Sequence, residues 1–397
     1  MRAETYQLLK KLISFNTVSK HSNLPLIEFI QNYLHQHNVE SHLLFNHTQD
    51  KANIVARIGP ETPGGVVISG HTDVVPAHPN HWQSPPFELT PKQNLLYGRG
   101  TADMKSFLAL ALAAVPALKQ APLRQPLYLA FSYDEEIGCL GAPQLIDYLK
   151  NNFPKPMAVI VGEPTLMQPV VAHKSIVTLK TEVTGLEAHS SQTQNGISAI
   201  TLAAQLIQFI HHLLQENKNK AQANSLFVPP YDTLQAGTIQ GGSAVNIIAK
   251  HCAFEWDIRC LPGQNWHHYL EKFNAFAKKQ LAPLKQKAGE KAQEIQVNTQ
   301  VLAEVPAFNN PKGQARVLLS YLNPGFQPQA APFVSEAGQY QAAGFDVIVC
   351  GPGAIDQAHQ PNEYITVEQI QAGETFFDRL LQFLCAPSTT LCKKEKA

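Results

Sequence analysis

Charge is the first thing this chain is short of. Only 16% of its 397 residues are Asp, Glu, Lys or Arg, and 31 acidic and 31 basic side chains cancel to a formal net charge of zero. Proteins that grip nucleic acid or an anionic membrane carry a basic footprint, and its absence makes small molecules the expected partners. Long apolar runs are missing too: the longest, residues 107–118, is too short to span a bilayer and contains Pro116. The first fourteen residues spread their charges through an amphipathic pattern, not a basic head followed by an apolar core, so no secretory signal is read there. Six cysteines occur without a C-x-x-C pair, which suits reduced thiols better than a disulfide framework. The expectation is a cytoplasmic protein with no nucleic-acid and no membrane partner.

What is present is a repeated grammar of short apolar runs that end in ligand-type side chains. Leu127-Tyr-Leu-Ala-Phe-Ser-Tyr-Asp-Glu-Glu136 closes on three carboxylates. The run before His71, the run before Glu163 and the run ending at Gly351, from which a loop leads to His359, repeat the pattern. Runs of this length read as buried strands of a parallel sheet, and the carboxyl edge of such a sheet is where ligands bind. Clustered carboxylates there are costly unless cations offset them.

The length favours two domains. Residues 1–60 read as two helices (4–14 and 23–38) and two strands (41–45 and 53–58). A proline-rich loop covers 75–91, and a helix over 104–119 is expected to have Asp103 as its cap. The β/α series continues to residue 161. From about 175 the pattern changes: a strand over 176–184, a helix over 195–216 with Ile200, Ala203, Ile207, Ile210 and Leu214 on one face, two strands around Gly241-Gly242, a strand over 252–260, a helix after Trp266 and a strand over 295–301. The fold class expected is α/β, a mixed, mostly parallel sheet flanked by helices, with an inserted α+β module. Residues 1–176 and 304–397 form the first domain, 177–303 the insert, and the tail from 386 is expected to be disordered.

His71, Asp103, Glu136, Glu163 and His359 are donors that suit zinc, with no thiolate among them. Five donors exceed one catalytic zinc. If one carboxylate bridges, two ions each receive a His, a terminal carboxylate and a share of the bridge, and Asp103, between the flanking strands, is the expected bridge. Asp73 is placed to orient the His71 imidazole. Glu135 and Glu136 are neighbours that must point apart, one to ligate and the other to act as general base.

At these residues the chain resembles the dizinc metallopeptidase and deacetylase family that includes carboxypeptidases, aminoacylase, succinyl-diaminopimelate desuccinylase and acetylornithine deacetylase. The matching motifs are Gly70-His-Thr-Asp-Val-Val-Pro76, Tyr97-Gly-Arg-Gly-Thr-Ala-Asp-Met-Lys105, Tyr133-Asp-Glu-Glu-Ile-Gly138, Gly162-Glu-Pro-Thr165 and Ala358-His-Gln-Pro361. Ser106, Ser175 and Ala249 depart from the common pattern. Within the family, Phe131-Ser-Tyr-Asp-Glu-Glu-Ile-Gly-Cys-Leu-Gly141, Ala188-His-Ser-Ser191, Asn246-Ile-Ile and Val349-Cys-Gly-Pro-Gly353 look most like the acetylornithine deacetylases.

The resemblance implies a zinc-exopeptidase-like catalytic domain holding two Zn2+, with Co2+ as an alternative. His71 and Glu163 would serve one ion, Glu136 and His359 the other, with Asp103 shared, Glu135 the base and a cis peptide after Asp103. It makes the insert a lid and the surface of a homodimer, His189 an oxyanion donor to the partner's site, and Asn246 and Arg259 substrate contacts. Plain alternatives stand beside these: His189 as a helix-start residue, Arg259 as an ordinary salt-bridge partner. The activity implied is removal of acetate from N2-acetyl-L-ornithine, a step of arginine biosynthesis. The runner-up is another N-acyl-amino-acid deacylase, the desuccinylase or a dipeptidase, and a non-catalytic binding protein is a different class.

Overall fold

The computed structural model describes residues 1–221 and 225–387; the tail from 388 onward, expected to be disordered, lies outside them. The chain divides into two compact units: Met1–Ala172 with Phe308–Ala331 and Ser335 onward, and His173–Ala307 with Pro332–Val334. Among the described residues no helix is long and apolar enough to cross a membrane.

The first unit is built on four short strands, Val66–His71, Leu127–Ser132, Ala158–Val161 and Val347–Val349. Every residue in them is buried, as expected of parallel strands covered on both faces. They lie in the order Leu127, Val66, Ala158, Val347, and each adjoining pair is parallel. Ser41–Phe45 and Ala52–Ile58 extend one side through antiparallel pairings, and Val170–His173 extends the other. Helices Ala3–Ile13, Lys105–Ala113 and Val367–Cys385 bury their apolar faces in the same core, among Leu9, Phe107, Leu129 and Phe377. Because the four strands run the same way, the residues after each of them arrive at one edge.

Two glycines close that edge. A Cβ on Gly162 would lie 2.0 Å from the Phe107 ring, and one on Gly351 would lie 2.1 Å from the Gly162 carbonyl oxygen. A separate three-stranded antiparallel sheet joins Thr90–Lys92, Leu95–Tyr97 and Tyr364–Thr366.

Three local expectations fail. The helix expected over 104–119 is two helices, Lys105–Ala113 and Val115–Gln120, because Pro116 lacks an N–H and belongs in a first turn. Asp103 does not cap it: Met104 holds the N-cap position with no side-chain cap. The strand after Gly242 does not form; residues 243–250 are loop, and only Thr233–Gly241 is extended.

The second unit is a four-stranded antiparallel sheet, in the order Thr233–Gly241, His251–Arg259, Ile176–Thr184, Gln296–Val305. Strict alternation along Ile176–Thr184 buries Val177, Leu179, Thr181 and Val183, the period-2 signature of a sheet with one covered face. Helices Ala199–Lys218 and His267–Ala288 supply the cover. The buried face of Ala199–Lys218 is Leu202, Ala203, Leu206, Ile210 and Leu213. It is rotated from the expected face, leaving Ile200 41% exposed. Phe273 is fully buried, with its ring 4.7 Å from Trp256 and 6.4 Å from Phe254. Phe273→Ala is therefore expected to cost about 3–5 kcal/mol, read as a lower midpoint in denaturant unfolding followed by tryptophan fluorescence.

Candidate metal centre

The four strand ends and the Asp103 loop bring five donors into two groups that share one member. His71, Asp103 and Glu163 form one group and Asp103, Glu136 and His359 the other, with the donor atoms of each within 4.8 Å of one another. Asp103 faces both ways: Oδ1 lies 3.0 Å from His71 Nε2, and Oδ2 lies 3.2 Å from His359 Nε2. His359 Nε2 also lies 2.9 Å from Glu136 Oε2. The Asp103–Met104 peptide is cis.

His71 is buried, and its Nδ1 donates to a carbonyl at 2.9 Å, which turns Nε2 toward Asp103 as the nitrogen that would ligate a cation on losing its proton. That carbonyl is the backbone oxygen of Asp73, whereas the side chain was the expected acceptor; the nearer carboxylate oxygen is 3.6 Å from Nδ1. The Asp73 carboxylate is turned instead to Ser19 Oγ at 2.7 Å and to the backbone N–H groups of Glu135 and Glu136 at 3.1 and 3.3 Å. It therefore holds the turn that presents both glutamates. Within that turn the two side chains diverge. Glu136 reaches His359, while Glu135 Oε1 accepts from the Cys139 thiol at 3.4 Å. Lys51, paired with Asp134 at 2.6 Å, anchors the start of the turn.

The electrostatics describe a pocket with too much negative charge. Burial and then the charges of Asp103 and Glu135 push Glu163 well above the usual carboxylate range. Burial and the charges of His71 and Glu136 act on Glu135, with a net rise. Burial and Asp103 bring Glu136 up to about 7 against the opposing pull of His359. Hydrogen bonds to Asp103 and Glu136 raise His359 to about 10. For His71, burial works downward but is outweighed by the Asp103 hydrogen bond and the Glu135 and Glu163 charges. Asp103, despite burial, is drawn well below its ordinary value by the two imidazoles. No lysine or arginine pairs with Asp103, Glu135, Glu136 or Glu163 among the described residues.

The donors fit divalent cations on a second, independent count. Glu163 Oε1 is buried without any hydrogen-bond partner, an expensive arrangement for a carboxylate unless a cation completes it. Imidazole and carboxylate donors with no thiolate suit zinc-like ions.

His189, Asn246 and Arg259 belong to the second unit. His189 and Asn246 are exposed neighbours there: His189 bridges to Ile247, and Ser190 N–H donates to the Asn246 carbonyl at 3.0 Å. The His189 imidazole meets Ser191 Oγ at 2.7 Å. Arg259, on the polar side of its strand, pairs with Asp257 at 3.3 Å beside a cavity of about 360 Å³ lined by Lys218 and Tyr231.

Several residues around the centre escaped the sequence reading. Glu363 is buried and accepts from Arg99 and from backbone N–H groups of the Asp103 loop. Glu336 and Tyr340 meet Ser69 at 3.3 and 3.0 Å beneath His71. Lys105 runs under the loop to the carbonyls of Leu12 and Phe15. Ser106, one of the departures from the family pattern, donates to the Thr101 carbonyl at 2.5 Å.

The description of peptidase family M20/M25/M40 matches residues 67–382. The chain is 33% identical over 387 residues to acetylornithine deacetylase of Pasteurella multocida (strain Pm70), covering 96% of this chain and 97% of that one. Its fold is similar to the M20 family metallo-carboxypeptidase Sso-CP2 from Sulfolobus solfataricus, with a TM-score of 0.71 at 19% identity, covering 97% and 100%. It is also similar to the Bacillus subtilis YXEP protein, described as a dinuclear metal binding peptidase, with a TM-score of 0.60 at 16% identity, covering 96% and 97%.

A cation that binds the folded chain alone must stabilise it, by about 2.7 kcal/mol at a free concentration of one hundred times Kd. Chelation is expected to lower the melting temperature and Zn2+ or Co2+ to restore it. Because Glu136 titrates at about 7 in the ion-free fold, uptake near pH 6 should also release protons, measurable as acidification of a weakly buffered solution. Ion addition with neither effect would remove the centre.

Proposed function

The chain belongs to peptidase family M20/M25/M40 and is a metal-dependent hydrolase; from that premise we propose that it removes the acetyl group from N2-acetyl-L-ornithine, yielding L-ornithine and acetate. Near-full-length similarity to acetylornithine deacetylases supports the substrate. The observation that carries the chemistry is Asp103, which offers one oxygen to each of two histidines.

In this reading His71 and Glu163 hold one Zn2+ and Glu136 and His359 the other, with Asp103 between them and Co2+ able to substitute. Bound there, the two ions polarise the acyl carbonyl and make water acidic enough to be deprotonated near neutrality. Glu135, diverging from Glu136 and not needed as a ligand, takes the proton of the attacking water and passes it to the departing amine. Asp73 fixes the turn that carries Glu135, and its carbonyl fixes the His71 ring.

The second unit supplies the remaining roles. His189 donates to the oxyanion of a second copy's reaction centre, which makes the working enzyme a homodimer joined through these units. Asn246, beside His189, and Arg259 bind the substrate, the guanidinium suiting a carboxylate. The pathway is arginine biosynthesis and the compartment the cytoplasm.

Comparing kcat/KM on acetylornithine, acetylmethionine and succinyl-diaminopimelate tests the substrate. Acetylornithine is expected to lead, and a clear preference for the succinylated compound would replace this reading with that of a desuccinylase. Glu135→Ala is expected to lower kcat by about 100- to 10,000-fold while metal analysis still finds two ions per chain. Turnover near wild type in that variant rejects Glu135 as the base.

A further inference from the structure

We propose that Glu363 is a positioning residue that locks the Asp103 loop to the His359 segment and so sets the affinity of the second ion, an inference that rests on the two-metal reading above. Glu363 is 1% exposed and uses both carboxylate oxygens fully. Oε2 accepts from Arg99 Nη1 at 2.7 Å and from the Gly100 N–H at 2.9 Å. Oε1 accepts from the N–H groups of Ala102 and Asp103 at 2.8 and 3.1 Å. Its own carbonyl takes the Gly98 N–H at 3.0 Å, and the next residue, Tyr364, pairs with Tyr97 in the small sheet.

All four donors to the carboxylate thus come from residues 99–103, the loop that ends in Asp103. A buried carboxylate kept only for stability needs partners, but nothing requires that all of them lie on one ligand-bearing loop. The other end of the lock is as firm. His359 stands four residues before Glu363, and the segment between them is set by left-handed turns at His359 (φ 61) and Asn362 (φ 60). Asn362 Oδ1 accepts from the Gln83 N–H at 2.7 Å. Arg99, the counter-charge, is held by the Pro76 carbonyl at 3.3 Å and lies 5.2 Å from the Trp82 ring centre.

The two ions should feel this lock unequally. His71 and Glu163 follow their own strands and are not among the hydrogen-bond partners of Glu363, so the first group depends on it through Asp103. The second group depends on it twice, through Asp103 and through His359. Buried partners that orient ligands typically change metal affinity by about 10- to 100-fold.

The test is calorimetric titration of chelator-stripped protein with Zn2+, with melting curves as a check on folding. Wild type is expected to take two ions per chain. Glu363→Gln, which puts an NH2 where two donors now point, should bind one ion nearly as wild type and the other at least about tenfold more weakly. Should that variant fail to fold, Glu363→Asp keeps the charge, shortens the reach and carries the same readout. Equal weakening of both ions, or none, overturns the proposal. A wild-type protein that takes fewer than two ions overturns the two-metal reading itself and this inference with it.

Discussion

The structure depends on one carboxylate that must serve two imidazoles at once. Asp103 can do so because the loop behind it is held from three directions: by Glu363, by Lys105 beneath it, and by the small sheet that joins Leu95–Tyr97 to Tyr364–Thr366. Chain segments 260 residues apart meet where the Asp103 N–H donates to Glu363. Around it stand three more carboxyls whose protons are held tightly in the ion-free fold. Ionising them together is tolerable only in a rigid pocket that has cations to bind, which links the stability of the first unit to its chemistry.

The strand ends were legible in the sequence because burial on both faces forces continuous apolar runs, and a charged residue at the end of such a run has few reasons to be there. His71, Glu136 and Glu163 are of this kind. Asp103 and His359 follow loops, so their donor type and their place beside the apolar runs singled them out, a weaker signal that the resemblance reinforced. Glu363 was invisible for a related reason: an acid just before a three-residue strand looks the same whether it meets water or four backbone and guanidinium donors. The same limit applies to Asp73, where spacing placed the residue correctly beside His71 but could not say which of its oxygens would face the ring.

In the second unit, alternation identified Ile176–Thr184 and His251–Arg259 because one covered face writes itself into every second residue. It has no counterpart at residues 243–250. Ala244, Val245, Ile247 and Ile248 are apolar without alternating, and the expected strand does not form: Val245 is fully exposed and the segment turns back to bridge His189. An apolar side chain left in water marks a place where local pattern and global burial disagree, and here that place carries Asn246.

The contact between Gly162 and Gly351 limits how this scaffold can diversify. Neither position admits a side chain, since a single carbon would strike a ring or a carbonyl. The floor beneath the donor cluster is therefore fixed, and changes in what the site accepts must enter through its loops.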